Sequence, residues 1–425
     1  MASKRNLGVL VALLLAGGMW FYVHRVLIPH QEAEATLRGI PRGNLSDLYP
    51  RWWGARELLL HHRDPYSDEV TREIQAGYYG RPLDPSRPDD PKDEQRFAYP
   101  VYVVFLLAPT VHFPFPTVQA GFRWLLFAVT AASVWLWLRI LGWRPSLSTQ
   151  AILLLLSLLS FPALQGIRLQ QLSLFVGGLI AGSLALLVEG YLVAAGILLA
   201  AATIKPQLAL PLCAWILLWT FSDWRRRQNV MWGFVGTMAA LLGGAEYVLP
   251  GWWGRFREAV AAYRQYSDGA LSVLEVLLTP VGGRIAATLA LVALALMCWR
   301  NRSALAGAAG FGQVTTLVLA TTVMVVPKAA PYNQVLLIPG VLLALQHWRI
   351  LSARKVMIAV RICALIVVWP WLASFGLTLA SLWLPAASVQ EAWAVPLFSS
   401  YAAPVAVFLI AAYVVGRVPD EASAS

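Results

Sequence analysis

One stretch after the first apolar run, NLSDLYPRWWGARELLLHHRDPYSDE, concentrates side chains able to do chemistry. Asp47 stands just before a segment in which Leu48, Trp52, Ala55 and Leu59 fall on one helical face, with Trp53 beside them. That spacing predicts an amphipathic helix lying on a membrane surface. Two readings of Asp47 follow. As a helix N-cap, or as the i,i+4 partner of Arg51, it is a common structural carboxylate. Held at a membrane interface by a stiff neighbouring helix, it is instead a catalytic carboxylate. Asp64 precedes Pro65 and reads as a turn initiator, with substrate binding as the second reading. Asp68 and Glu69 read as caps of the next helix. His61 and His62 are adjacent, so on a helix they point about 100° apart and lack the i,i+4 geometry of a metal pair. No metal site is expected from them, and no cofactor.

Lys205 poses a different problem, because it lies beside Pro206 inside an apolar stretch. An ionisable group there is costly unless it faces a cavity or a partner, or unless it snorkels to the headgroups from a helix end. Trp252, Trp253, Tyr263 and Tyr266 crowd a later loop and have the faces to stack on sugar rings, although most of the 19 tryptophans read as interface anchors. Glu189 and Glu246 sit near span ends and read as interfacial. Cys213, Cys298 and Cys363 are far apart within apolar runs and read as packing residues, with neither disulfide nor metal spacing.

Helices must position these groups, and the composition says where they run. Of 425 residues, 58% are hydrophobic and 13% charged, which excludes an ordinary soluble domain and a disordered chain. A helix needs about 20 apolar residues to cross the hydrocarbon core. Candidate spans cover roughly 7–28, 118–141, 147–165, 170–188, 229–249, 283–299, 312–327, 331–347, 356–380 and 399–417. Two further segments are ambiguous: 97–113 is short and interrupted by Pro100 and Pro109, and 190–221 is too long for one span and breaks at Lys205-Pro206. The expectation is an all-α, polytopic helical membrane protein with 11–13 transmembrane helices. Residues 7–28 form an uncleaved first helix rather than a signal peptide. Residues 29–96 form a large extracytoplasmic loop, 97–350 the transmembrane core, and 351–425 the last helices and a polar tail.

The net charge of +11 would suggest nucleic acid in a soluble protein, but its distribution says otherwise. Residues 29–96 hold 10 basic and 13 acidic side chains out of 33 and 22 in the whole chain. Most cations lie outside that loop and near helix ends: Lys4/Arg5, Arg225–Arg227, Arg300/Arg302, Arg349/Arg354/Lys355 and Arg417. By the positive-inside trend these mark the cytoplasmic side, with both termini inside. The 250–280 and 381–398 loops and the 327–333 turn then fall outside with 29–96. Lys328, in that turn, goes against the trend. Both termini inside require an even number of crossings, so either 97–113 is re-entrant or 190–221 is one kinked helix. The 80–96 stretch, rich in Pro and Asp, reads as an exposed insert whose acids solvate the loop.

Several of these segments, taken in order, resemble glycosyltransferase family 87, whose members use polyprenol-phosphate sugars on a GT-C fold. The resemblance begins with an Asp shortly after the first span, an aromatic-rich juxtamembrane helix and Asp64-Pro65-Tyr66-Ser67. Phe97-Ala98-Tyr99-Pro100 resembles the family's Tyr-Pro-Pro segment, with Val101 in place of the second proline. Leu169-Gln170-Gln171-Leu172-Ser173 resembles its Leu-Gly-Gln-x-Asn turn, keeping Gln171. Ala195-Gly196-Ile197 followed by Thr203-Ile204-Lys205-Pro206 resembles a Gly-containing helix ending in Lys-Pro. Pro327-Lys328-Ala329-Ala330-Pro331-Tyr332-Asn333 occupies the place of a Pro-x-Ser-Trp-x-His-Tyr turn and departs from it.

The resemblance implies inverting sugar transfer on the extracytoplasmic face, from a polyprenyl-phosphate-linked donor to a glycolipid or glycan acceptor. Mannose is the sugar expected by family weight. Asp47 would be the general base. Lys205, Arg168 or Lys328 would hold the donor phosphate, and Asp64, Tyr66, Tyr99, Gln171, Tyr332 and Asn333 would line the substrate site. Membrane lipids are the other expected partners; nucleic acid is not one. Two other classes share the composition: a lipid-linked saccharide flippase or transporter, and a surface-polysaccharide polymerase or ligase. Broken helices favour the transporter, but the halves show no repeat and the spans few carboxylates. The polymerase would rely on basic and His residues in a late outer loop, whereas here the acidic loop comes first.

Overall fold

The structure is a computed structural model that describes residues 2–40, 42–266, 271–353 and 356–417, without the side chains of 2–5 and 266. Arg354, Lys355 and the polar tail therefore lie outside the described residues, as do the side chains of Lys4, Arg5 and Tyr266. Every regular element described is helical, and the chain is a polytopic helical membrane protein. Among the described residues, four helices are long and apolar enough to cross a membrane, or six if each of two bent pairs is one span, and five further apolar helices are 10–17 residues long.

The first helix, α1, runs over Asn6–Leu37 with a π-helical segment at Tyr22–Leu27. Two helices of the loop follow, α2 (Tyr49–His61) and α3 (Asp68–Tyr79). The apolar face of α2 does not rest on lipid. Of the expected face, Leu48, Trp52 and Ala55 are buried and Leu59 is half-buried, with Trp52 against Phe115 and its indole N–H donating to the Thr110 carbonyl at 3.3 Å. The surface-helix expectation is corrected accordingly: protein, rather than headgroups, covers that face.

Residues 97–113 form only a five-residue helix, Val103–Leu107, and a 3-10 turn, Ala108–Thr110. Pro100 and Pro109 break the run, and the buried Val101, Val103, Val104 and Leu107 tuck it beneath α2. Neither helix is long enough by itself to span a membrane.

Beyond it come α4 (Phe115–Ile140), α5 (Leu147–Leu158) and α6 (Phe161–Arg168), then α7 (Leu172–Val188), α8 (Leu192–Ala202), α9 (Pro206–Ser222) and α10 (Trp224–Val248). Pro206 at the first position of α9 suits a helix start, and it forces Lys205 out of helical geometry, to φ −124° and ψ 77°. The break makes a hairpin rather than a kink. In α8, Val193 meets Gly233 of α10 and Thr203 meets Met238, so these two helices run the same way. In α9, Trp219 lies beside the first turn of α10, so α9 returns. The α8–α10 contact is close because both helices offer glycine: a Cβ on Gly196 would stand 2.1 Å from the Val230 carbonyl oxygen, and one on Gly233 2.2 Å from that of Val193. Residues 203–205 thus form a tip beside mid-α10, which continues about 15 Å past Met238. Tyr102 closes over this tip, its hydroxyl donating to the Thr203 carbonyl at 2.9 Å.

At the opposite end of the bundle Arg227 is buried, beyond the orientation role that its cluster predicts. Its guanidinium stacks 4.0 Å from the Trp219 ring and donates to the carbonyls of Trp219 (2.7 Å), Arg302 (2.9 Å), Ser303 (3.1 Å) and Ala304 (3.0 Å). It ties the α9–α10 turn to the connection between α12 (Pro280–Arg300) and α13 (Ala309–Val325), which follow α11 (Trp252–Tyr266). After a 3-10 segment, Pro331–Leu337, come α14 (Ile338–Gln346), α15 (Met357–Ala380) and α16 (Ala403–Val415), with shorter helical turns between them.

Candidate active site

The site is built where two turns meet. Between α6 and α7 the chain turns at Leu169–Gln171, with Gln170 in the left-handed region at φ +49°. The Gln170 amide oxygen accepts from Ser46 Oγ at 2.6 Å and Gln119 Nε2 at 3.1 Å, and the Leu169 carbonyl accepts the Asp47 N–H at 2.9 Å. The 44–48 segment is thereby fastened to the bundle.

Asp47 does not cap α2, which starts from Leu48 with no side-chain cap. Its carboxylate instead accepts from the Tyr78 hydroxyl of α3 at 3.2 Å and from Gln171 Nε2. Arg51 reaches the Asp47 main-chain carbonyl at 2.6 Å, and its guanidinium stacks 4.4 Å from the Tyr99 ring. Burial pushes the Asp47 carboxyl above its usual range, against the pull of Arg51 and of the Gln171 and Tyr78 hydrogen bonds. Burial and the nearby Asp47 charge likewise push the Tyr78 phenol well up, so it stays a donor.

Gln171 carries the contact onward. Its Oε1 lies 3.4 Å from Lys205 Nζ, so one amide spans the carboxylate and the lysine. Lys205 is only 5% exposed and also donates to Ser173 Oγ and, at 3.5 Å, to Asn333 Oδ1. Ser173 donates to the same Asn333 oxygen at 2.8 Å, and the Tyr332 ring centre is 5.1 Å from the ammonium. No carboxylate lies within ion-pair distance of Lys205 among the described residues. Its partners are neutral acceptors, so it does not snorkel; it faces a cavity of about 310 Å³ that Gln171, Lys205, Tyr99, Arg51, Lys328, Tyr332 and Asn333 help to line.

The remaining expected residues are distributed as follows. Tyr66 is buried and donates to the Tyr99 carbonyl at 2.7 Å, so it supports the wall rather than forming it. Asp64 accepts the Tyr66 N–H at 2.9 Å and pairs with Arg255 at 3.3 Å, holding the loop to α11. Arg168 lies on the flank, 3.4 Å from Gln31 Oε1, and does not line the cavity. Lys328 lines it with a strained backbone, φ +65°, its amine bonded to the Tyr263 hydroxyl and 3.6 Å from Asp93. Trp252 is buried against Tyr102, whereas Trp253 is exposed.

Three residues near the site went unread in the sequence. Tyr78 is contributed by a separate helix with no local signal. Asp93 belongs to the acidic insert, and its Lys328 contact brings that insert to the cavity's rim. Arg51 was visible only as an i,i+4 partner of Asp47, a pairing whose charged groups do not meet.

A carboxylate and a lysine that share one amide, beside a basic cavity, suit proton removal together with charge stabilisation at an anion. No curated protein and no solved structure matches the chain. The family profile of glycosyltransferase family 87 matches residues 97–327, taking in Tyr99, Arg168, Gln171 and Lys205 and ending just short of Lys328. That match covers more than half of the sequence and agrees with the all-helical apolar architecture, and the chain therefore belongs to glycosyltransferase family 87 and is a glycosyltransferase.

Proposed function

We propose that the protein transfers a sugar, mannose by family weight, from a polyprenyl-phosphate donor to a glycolipid or glycan acceptor, with inversion, on the extracytoplasmic face. The observation that carries this reading is the Gln171 bridge between Asp47 and Lys205. The donor phosphate sits in the cavity against Lys205. The acceptor hydroxyl approaches the Asp47 carboxylate from the other side of the amide. As the acceptor oxygen bonds to the anomeric carbon, its proton passes to Asp47 and the carbon–oxygen bond to phosphate breaks. The leaving group is a polyprenyl phosphate monoester, whose developing negative charge Lys205 stabilises. Two helices, α7 and α9, begin at the cavity wall, and their N-terminal dipoles favour an anion there. One carboxylate suffices for a single inverting displacement, so no covalent enzyme intermediate is needed. The far larger number of cations outside 29–96 supports both termini, and the opposite end of the bundle, being cytoplasmic.

Incubating the purified protein with a panel of polyprenyl-phosphate sugars tests this. Polyprenyl phosphate should appear from one donor, with a new glycosidic bond on an added acceptor. Consumption of none of them, or flux of intact donor across sealed vesicles without a new bond, would overturn the proposal.

A further inference from the structure

Arg51 occupies the first turn of α2, four residues after Asp47, where a helix-surface ion pair would be routine. The geometry is different. Its side-chain bond to Asp47 runs from Nη1 to the main-chain carbonyl, not the carboxylate, and its Nε is buried with no hydrogen-bond partner among the described residues. A buried guanidinium N–H left unmade is costly, and native structures normally supply an acceptor. The same side chain lines the cavity that also holds Lys205 and Lys328, and the Tyr99 ring fixes its plane at 4.4 Å. Of the other cations around this site, Lys328 already faces Asp93, Arg264 also lines the cavity and is engaged elsewhere, and Arg168 is turned to Gln31 outside it.

A planar, pre-oriented fork with an open donor beside a buried lysine matches a phosphate group, which accepts two parallel N–H bonds from arginine. We propose that Arg51, together with Lys205, is the principal ligand of the donor's phosphate, and that Arg168 has no part in binding it. This rests on the transferase reading above and assigns a binding residue that lies before the family-matched segment.

The test is direct binding of farnesyl phosphate, a short prenyl phosphate without a sugar, to the purified full chain, with farnesol as the uncharged control. Arg51→Gln should weaken farnesyl phosphate binding by about tenfold or more, the scale of losing a charge-assisted contact, and leave farnesol binding unchanged. Arg51→Lys keeps the charge but not the fork and should lose roughly three- to tenfold. Arg168→Gln should bind as the wild type does. Unaltered farnesyl phosphate binding by Arg51→Gln overturns the assignment while leaving the transferase reading intact. Wild type that binds farnesyl phosphate no better than farnesol overturns both. Should Arg51→Gln fail to fold, wild-type affinity in Arg51→Lys overturns the fork assignment by itself.

Discussion

Asp47 is a carboxylate whose burial works against its own charge, and whose hydrogen bonds to Tyr78 and Gln171 work for it. The net direction is upward, so the charged form needed to accept a proton is lost as the pH falls through a value above the ordinary carboxylate range. Activity as a function of pH should therefore show an acidic limb that lies higher than for a free aspartate. Tyr78→Phe removes a donor that favours the charged form, so the limb should move to still higher pH, as kcat/KM profiles of the two proteins would show. A profile unchanged by Tyr78→Phe would mean that another group sets the limb. Part of this arrangement was legible in advance: Asp47 and Lys205 stood out by type and position, and Gln171 by the family resemblance alone. Arg51, Tyr78 and Asp93 did not. A guanidinium that bonds a main-chain carbonyl leaves the same i,i+4 pattern as one that bonds the carboxylate, and one acid among the 13 of residues 29–96 carries no mark of its neighbour.

At the scale of elements, the site depends on short connections held from both sides. The 203–205 tip is recessed because α8 has only 11 residues, and Tyr102 covers it. At the other end Arg227 satisfies four carbonyls of two connections. Arg227→Met would remove the donor that the Ser303 carbonyl has and one of two donors to each of the other three, which Ser222 and Trp219 also serve, and should destabilise the protein by about 1–3 kcal/mol, read as a lower unfolding temperature in detergent. The exposed Arg225→Gln should shift it by no more than about 0.5 kcal/mol. Equal stability for both would show that the Arg227 clamp is dispensable. Long apolar runs announced most helices, but the two ambiguous segments needed tertiary packing to resolve. Pro206 fits the first turn of a new helix as well as it fits a kink, and Pro100 and Pro109 do not reveal whether the residues between them cross or turn back.

For the whole molecule, all-helical architecture and membrane class followed from composition, whereas the pairing of the loop with the bundle did not. Ser46 to Gln170 and Asp47 to Leu169 are contacts across more than a hundred residues, and no local pattern encodes them. Sidedness is open to a simple check. With the 29–96 loop outside, a cysteine at the exposed Ser86 (Ser86→Cys) should react with an impermeant maleimide in intact cells, and protection until lysis would reverse the orientation.

The central claim is that Asp47 drives transfer from a polyprenyl-phosphate sugar. It is tested most directly by mixing wild type and Asp47→Asn with polyprenyl-phosphate mannose and acceptor-containing membranes, and measuring released polyprenyl phosphate. Wild type should release it, and a folded Asp47→Asn protein should do so about 10²–10⁴-fold more slowly, the usual contribution of a general base. Release by Asp47→Asn at the wild-type rate would contradict the account.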